Sequence, residues 1–274
     1  MNASSGPPSR EHNRAAEGLR AAVEAAILGT TPLFFLVAFV VAWIAGCDTS
    51  PNPPRKTSAR TSLTVAEAER LVYQDPSELP RQIRLELDGL TTLLQDVAEV
   101  FARPTPHTYR ITLDGLATLS PQAAEALVRN ANYLSLSGLR TISPELAEVF
   151  GKYKGDLILN GVASMTPAAA AAVAQGKGFL CLNGLTAFSP ETASALAGNS
   201  ARQITLNGLS EISPEVARAL AAGRSDLYLN GLKSITPEVA DALVGYRGDS
   251  LWLTSLDRKT VAPEIVATLR RNPA

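Results

Sequence analysis

The chain has 274 residues, 46% of them hydrophobic and 19% charged, with a formal net charge of −1. That balance belongs to a folded chain, and it lacks the basic excess that a nucleic-acid binder uses. Two histidines, His12 and His107, and two cysteines, Cys47 and Cys181, provide no clustered ligand set for a metal and no histidine-dependent catalytic triad. They allow no disulfide framework beyond a single Cys47–Cys181 pair.

Residues 1–26 form a polar pre-segment in which Arg10, Arg14 and Arg20 are matched by Glu11, Glu17 and Glu24. From Ile27 to Gly46 the chain carries no charge, and a run of twenty such residues is long enough to cross a bilayer as a helix. The run closes on Ile44-Ala45-Gly46-Cys47. This resembles the bacterial lipobox, an aliphatic residue and two small ones before the cysteine that is lipidated, and the resemblance implies a lipid on Cys47. An uncleaved transmembrane helix with a cysteine at its edge is the other reading. Either one tethers the chain to a membrane and places the residues after Cys47 in the cell envelope, on the periplasmic or cell-surface side. Residues 47–62, rich in Pro, Ser and Thr, are expected to be a disordered linker.

Residues 63–274 are dominated by an internal repeat. Its clearest copy is Leu227-Tyr-Leu-Asn-Gly-Leu232 followed by Lys-Ser-Ile-Thr-Pro-Glu-Val-Ala-Asp-Ala-Leu243. Glycine recurs at Gly89, Gly115, Gly138, Gly161, Gly184, Gly208 and Gly231, with Ser255 in the eighth place. The steps are 23 or 24 residues after a first step of 26. In the first half of each unit apolar and polar residues alternate, which predicts a short strand. The Asn-Gly after it favours positive φ and predicts a turn. In the second half, Ser120, Ser143, Thr166, Ser189, Ser213 and Thr236 each precede a proline. A hydroxyl at the N-cap, Pro at the first helical position and, in most copies, Glu beside it predict a helix start. Thr64 and Glu67 form a capping-box pattern on a helix with no recognisable strand before it, expected to cover the N-terminal end. At the other end Ala262-Pro263 lacks the capping hydroxyl.

One such unit cannot bury its own apolar face, whereas stacked copies can. The expected fold is α/β: a leucine-rich-repeat-like solenoid with one parallel sheet, a layer of helices and about eight repeats of 23–24 residues. The motif resembles the bacterial leucine-rich repeats abundant in planctomycetes, with units of the form LxLNGLxxITPExAxAL. It departs from the commoner LxxLxLxxNxL pattern in placing Asn directly after the second strand leucine. The resemblance implies protein–protein interaction.

With the strand leucines pointing inward, the residues between them should line the concave face: Glu86, Thr112, Ser135, Ile158, Cys181, Thr205, Tyr228 and Trp252. The row is chemically varied, as a binding surface would be. Ile158, Cys181, Thr205, Tyr228 and Trp252 are its candidate binding residues, the two aromatics as anchors for a peptide or a sugar ring. On this assignment Leu206→Asp buries a charge and should cost several kcal/mol, whereas Thr205→Asp, one residue away on the outer face, should cost far less. The next row, Asp88, Asp114, Ser137, Asn160, Asn183, Asn207, Asn230 and Thr254, is expected to hydrogen-bond backbone at the turns. Asp88 and Asp114 are also a weak pair for a cation. Cys181, with no histidine near it in sequence, reads as a small neutral spacer. The sequence thus points to no catalytic residues, no metal and no cofactor. It suggests a membrane-tethered interaction module with a protein or peptide partner and no nucleic acid. A structural envelope spacer without a discrete ligand is the alternative.

Overall fold

The computed structural model describes residues 55–56, 61–72, 82–198 and 200–256, all within the unit Asn52–Ala274. The elements in chain order are β1 (Arg55–Lys56), α1 (Val65–Val72), β2 (Gln82–Glu86), α2 (Gln95–Ala102), β3 (Thr108–Thr112), α3 (Pro121–Asn130), β4 (Ala131–Ser135), α4 (Pro144–Gly151), β5 (Asp156–Ile158), α5 (Pro167–Val173), β6 (Phe179–Cys181), α6 (Pro190–Ala197), β7 (Gln203–Thr205), α7 (Pro214–Ala221), β8 (Asp226–Tyr228), α8 (Pro237–Val244) and β9 (Leu251–Trp252). The strands form one sheet in sequence order, β1 to β9, and every neighbouring pair is parallel. Short parallel strands linked by helices, with each strand beside its sequence neighbour, make a leucine-rich-repeat-like α/β solenoid.

The register matches the repeat. Leu85, Ile111, Leu134, Leu157, Leu180, Ile204, Leu227 and Leu251 stand side by side across β2 to β9. The second strand leucines, Leu87, Leu113, Leu136, Leu159, Leu182, Leu206 and Leu229, are wholly buried. Each contributes roughly 1.5–3 kcal/mol of transfer free energy, and the stacking makes the core continuous from repeat to repeat. Ala124, Ala147, Ala170, Ala193, Ala217 and Ala240 hold one helical position in six successive helices and are likewise fully buried. A methyl group there lets the helix lie close against the core.

The helix starts behave as the Ser/Thr-Pro pairs predict. Ser120, Ser143, Thr166, Ser189, Ser213 and Thr236 each accept the N–H three residues on, at 3.2–3.4 Å. Thr64 and Glu67 close the capping box at 2.9 and 3.4 Å. The exception is α2, whose N-cap is Leu94, with no side-chain cap bond and 63% exposure.

Two expectations are corrected. The expected linker 47–62 contains a strand, since β1 pairs in parallel with β2 at Leu85 and Glu86; α1 is therefore preceded by a strand. Strand pairing uses backbone groups, and the open edge of β2 offers a row of them whatever side chains arrive. The turn glycines from Gly115 to Gly231, four of them after Asn, do not take positive φ. They are small because the repeats stack closely: a Cβ on Gly161 would overlap the carbonyl oxygen of Ser137 in the preceding unit, and the other glycines of the row meet the equivalent carbonyls. The pre-segment 1–26, the apolar run 27–46, Cys47 and the Ala262-Pro263 end lie outside the described residues. Among the described residues no helix is long and apolar enough to cross a membrane.

Candidate binding face

In β2, β3, β5, β6 and β8 the burial alternates, with the leucines or isoleucines packed under the helices and the residues between them on the open face of the sheet. The structure brings Ile158, Cys181, Tyr228 and Trp252 onto this face, each half-buried. Thr205 occupies the same row but is only 2% exposed, and Ser135 only 3%. The expected outer row is therefore not uniformly open. Thr205 stands between Cys181 and the much larger Tyr228 on the adjacent strands, and a short side chain beside a large ring is easily covered. The expectation that Thr205→Asp would cost far less than Leu206→Asp falls with this.

Tyr228 and Trp252 stack on one another, centroids 5.4 Å apart and planes 12° from parallel. At that separation no sugar or side chain fits between the rings, so the pair presents edges and outer faces rather than a clamp. Among the described residues, the indole Nε1 of Trp252 and the hydroxyls of Thr112 and Thr205, all in this row, are buried without a hydrogen-bond partner of standard geometry. Burial pushes the Cys181 thiol pKa up, and the neighbouring Thr205 hydroxyl offsets only part of this. Cys181 is thus held as a neutral thiol. His107, in the segment before β3, is three strands away from it, so the two form no catalytic pair.

The two-residue period places a further row on the same face, one step before the inward leucines: Arg84, Arg110, Tyr133, Asp156, Phe179, Gln203 and Asp226. Reading only the residues between the leucines missed it, although the same alternation identifies it. Here the guanidinium of Arg110 lies 4.0 Å from the ring centroid of Tyr133, and that of Arg202 lies 5.8 Å from Phe179. Arg84 pairs with Glu86 at 3.5 Å. Burial raises the Tyr133 pKa, and Arg110 opposes it.

The third row is a ladder. Asn160 accepts the backbone N–H of Asn183 at 3.1 Å, Asn183 that of Asn207 at 2.9 Å, Asn207 that of Asn230 at 2.9 Å and Asn230 that of Thr254 at 3.0 Å. Asp88 and Asp114 do the same for Asp114 and Ser137, at 3.1 and 2.7 Å. Asp114 also accepts the Ser135 hydroxyl at 2.6 Å. These carboxylates thus serve as ladder acceptors. Among the described residues no group of three or more His, Cys, Asp or Glu side chains is placed to hold a metal ion.

The fold and this face define a leucine-rich-repeat-like solenoid with a chemically graded open sheet. Among solved structures the chain is similar to a leucine-rich-repeat protein of Leptospira interrogans, with 15% sequence identity and a TM-score of 0.46. The match covers 85% of this chain and 61% of that one, so the chain spans less than two thirds of that protein's length. No family model matches the chain, and no curated protein matches it.

Proposed function

We propose that the open sheet face is a protein- or peptide-binding surface on a chain tethered to a membrane in the cell envelope. The observation that carries the reading is the half-buried Tyr228–Trp252 stack at the C-terminal end of the face. Large aromatic side chains on the solvent side of a sheet do nothing for the core beneath it, and such residues supply most of the energy at protein interfaces. The repeat motif, similar to planctomycete leucine-rich repeats, supports the same reading. The tether rests on the uncharged Ile27–Gly46 run and the lipobox-like Ile44–Cys47. Pull-down from envelope extract, comparing the wild type with Tyr228→Ala/Trp252→Ala, tests the face: bands lost in the variant support it, and identical bands refute it. Mass spectrometry of the mature N-terminus tests the tether: a lipidated Cys47 supports the lipoprotein form, and an intact Met1 excludes it.

A structural spacer without a discrete ligand is the second reading. The burial of Ser135 and Thr205 within the outer row favours it, because it interrupts the surface a ligand would cover.

A further inference from the structure

The open face carries a cation that sits against an aromatic ring. Arg110 on β3 is half-buried and has no carboxylate partner among the described residues. Its register neighbour on one side is a second arginine, Arg84, whose Glu86 partner lies 3.5 Å away. Its neighbour on the other side is Tyr133, and the guanidinium carbon lies over that ring, 4.0 Å from its centroid. Placing two like charges side by side across a sheet is unfavourable. Stacking on an aromatic ring uses the face of a guanidinium and leaves its in-plane N–H donors unspent. A half-desolvated guanidinium with an aromatic ring against it and no carboxylate partner among the described residues can take a carboxylate in a two-point bond.

We infer that Arg110, positioned by Tyr133, anchors a carboxylate of an extended peptide whose apolar residue reaches the Tyr228–Trp252 stack. This rests on the binding-face reading above and names the chemistry of the partner. A carboxylate is favoured over a phosphate because the surroundings are only weakly positive. Glu86 is already beside Arg84, and Asp114 and Asp156 lie within electrostatic reach of Tyr133. Three carboxylates near the site repel a dianion about twice as strongly as a single negative charge, so the singly charged carboxylate is the better fit to Arg110. Spacing fixes the length. Tyr228 and Trp252 are five and six strands beyond β3, and strands repeat at about 4.8 Å, so the anchors are roughly 24–29 Å apart along the sheet. An extended peptide covers that distance with about seven residues between its acidic and its apolar anchor. Phe179 and Ile158 lie along the route and suit apolar side chains in between.

The test is fluorescence anisotropy on the full chain in detergent micelles. The probes are labelled synthetic peptides with one Glu and one Trp separated by about seven Gly and Ser residues, made in both chain directions. Matched peptides carry Gln or phosphoserine in place of Glu. The Glu peptide is expected to bind wild type at least about tenfold more tightly than the Gln peptide, the size of one charged hydrogen-bond pair. Arg110→Gln should erase that difference, and Tyr133→Leu should reduce it, with circular dichroism unchanged in both. If Glu and Gln peptides bind alike while Trp252→Ala weakens both, the face binds peptides but the carboxylate anchor is wrong. A preference for phosphoserine over Glu likewise overturns it. If no peptide of the set binds wild type, the anchor fails together with the binding-face reading.

Discussion

The Oδ1 of Asn183 accepts the backbone N–H of Asn207, one repeat further along, at 2.9 Å. The same bond recurs on either side, so the row of asparagines ties each turn to the next. This satisfies backbone donors that the short strands leave unpaired. Asn183→Leu should therefore strand the Asn207 N–H and cost about 1–3 kcal/mol. Asn183→Asp keeps an acceptor in place, as Asp88 and Asp114 do in the first repeats, and should cost clearly less. Urea denaturation of the two variants checks this, and equal losses would show that the ladder bond is not what the position provides.

Thr205 and Leu206 are neighbours on opposite faces of β7 and its end, yet both are buried, at 2% and 0% exposure. Asp at either position should cost several kcal/mol, because each site would desolvate a charge. Thr205→Val should do the opposite. Among the described residues the buried hydroxyl has no partner of standard geometry, so an isosteric methyl is expected to be neutral or to stabilise by up to about 1 kcal/mol. Thermal melts of the three variants decide it; a Thr205→Asp protein as stable as wild type would put Thr205 on an open surface.

Gly161 and Gly245 separate two uses of glycine. A Cβ at Gly161 would overlap the Ser137 carbonyl of the adjacent repeat, and backbone cannot move aside cheaply. Gly161→Ala should lose stability at the upper end of the ~1–3 kcal/mol range for overpacking. Gly245 ends α8 at φ −78° with only an ordinary contact at 3.5 Å. Gly245→Ala should be neutral or stabilising by about 0.4–1 kcal/mol, through the entropy of the unfolded chain. Chemical denaturation of the pair reads the contrast directly, and a similar cost at both sites would refute it.

Acid should weaken the fold through the helix starts. Glu145 and Glu215 are held below the usual carboxylate range first by their own backbone N–H and then by Ser143 and Ser213. Glu191 and Glu238 are held there first by Ser189 and Thr236 and then by backbone. A depressed folded-state pKa means the unfolded chain takes up protons first. The stabilisation is complete above the ordinary Glu value of about 4.3 and is lost as pH falls through the lower folded values. Replacing all four by Gln should lower the melting temperature at neutral pH and flatten its decline below about pH 4.3. An unchanged acid limb would show that these carboxyls titrate alike in both states.

Periodicity alone decided much of this protein. A repeating L-x-L alternation can bury its leucines only by stacking, and a Ser or Thr before Pro and a helical apolar stripe has one local use. The strands, the helix starts, the order of the sheet and the rows on its face are therefore readable residue by residue. Features that depended on neighbours one repeat away were not. The burial of Thr205 is set by Cys181 and Tyr228 beside it, and the need for Gly161 by a carbonyl 24 positions earlier in the chain. The strand at Arg55–Lys56 arises from an open edge on β2 rather than from its own composition. The same holds on the binding face, where Tyr228 met Trp252 and Arg110 met Tyr133 only once adjacent strands were in register. Local sequence determines what one residue does to its own backbone; contact across a stack depends on register and side-chain length summed over several strands, and the tertiary structure alone carries that sum.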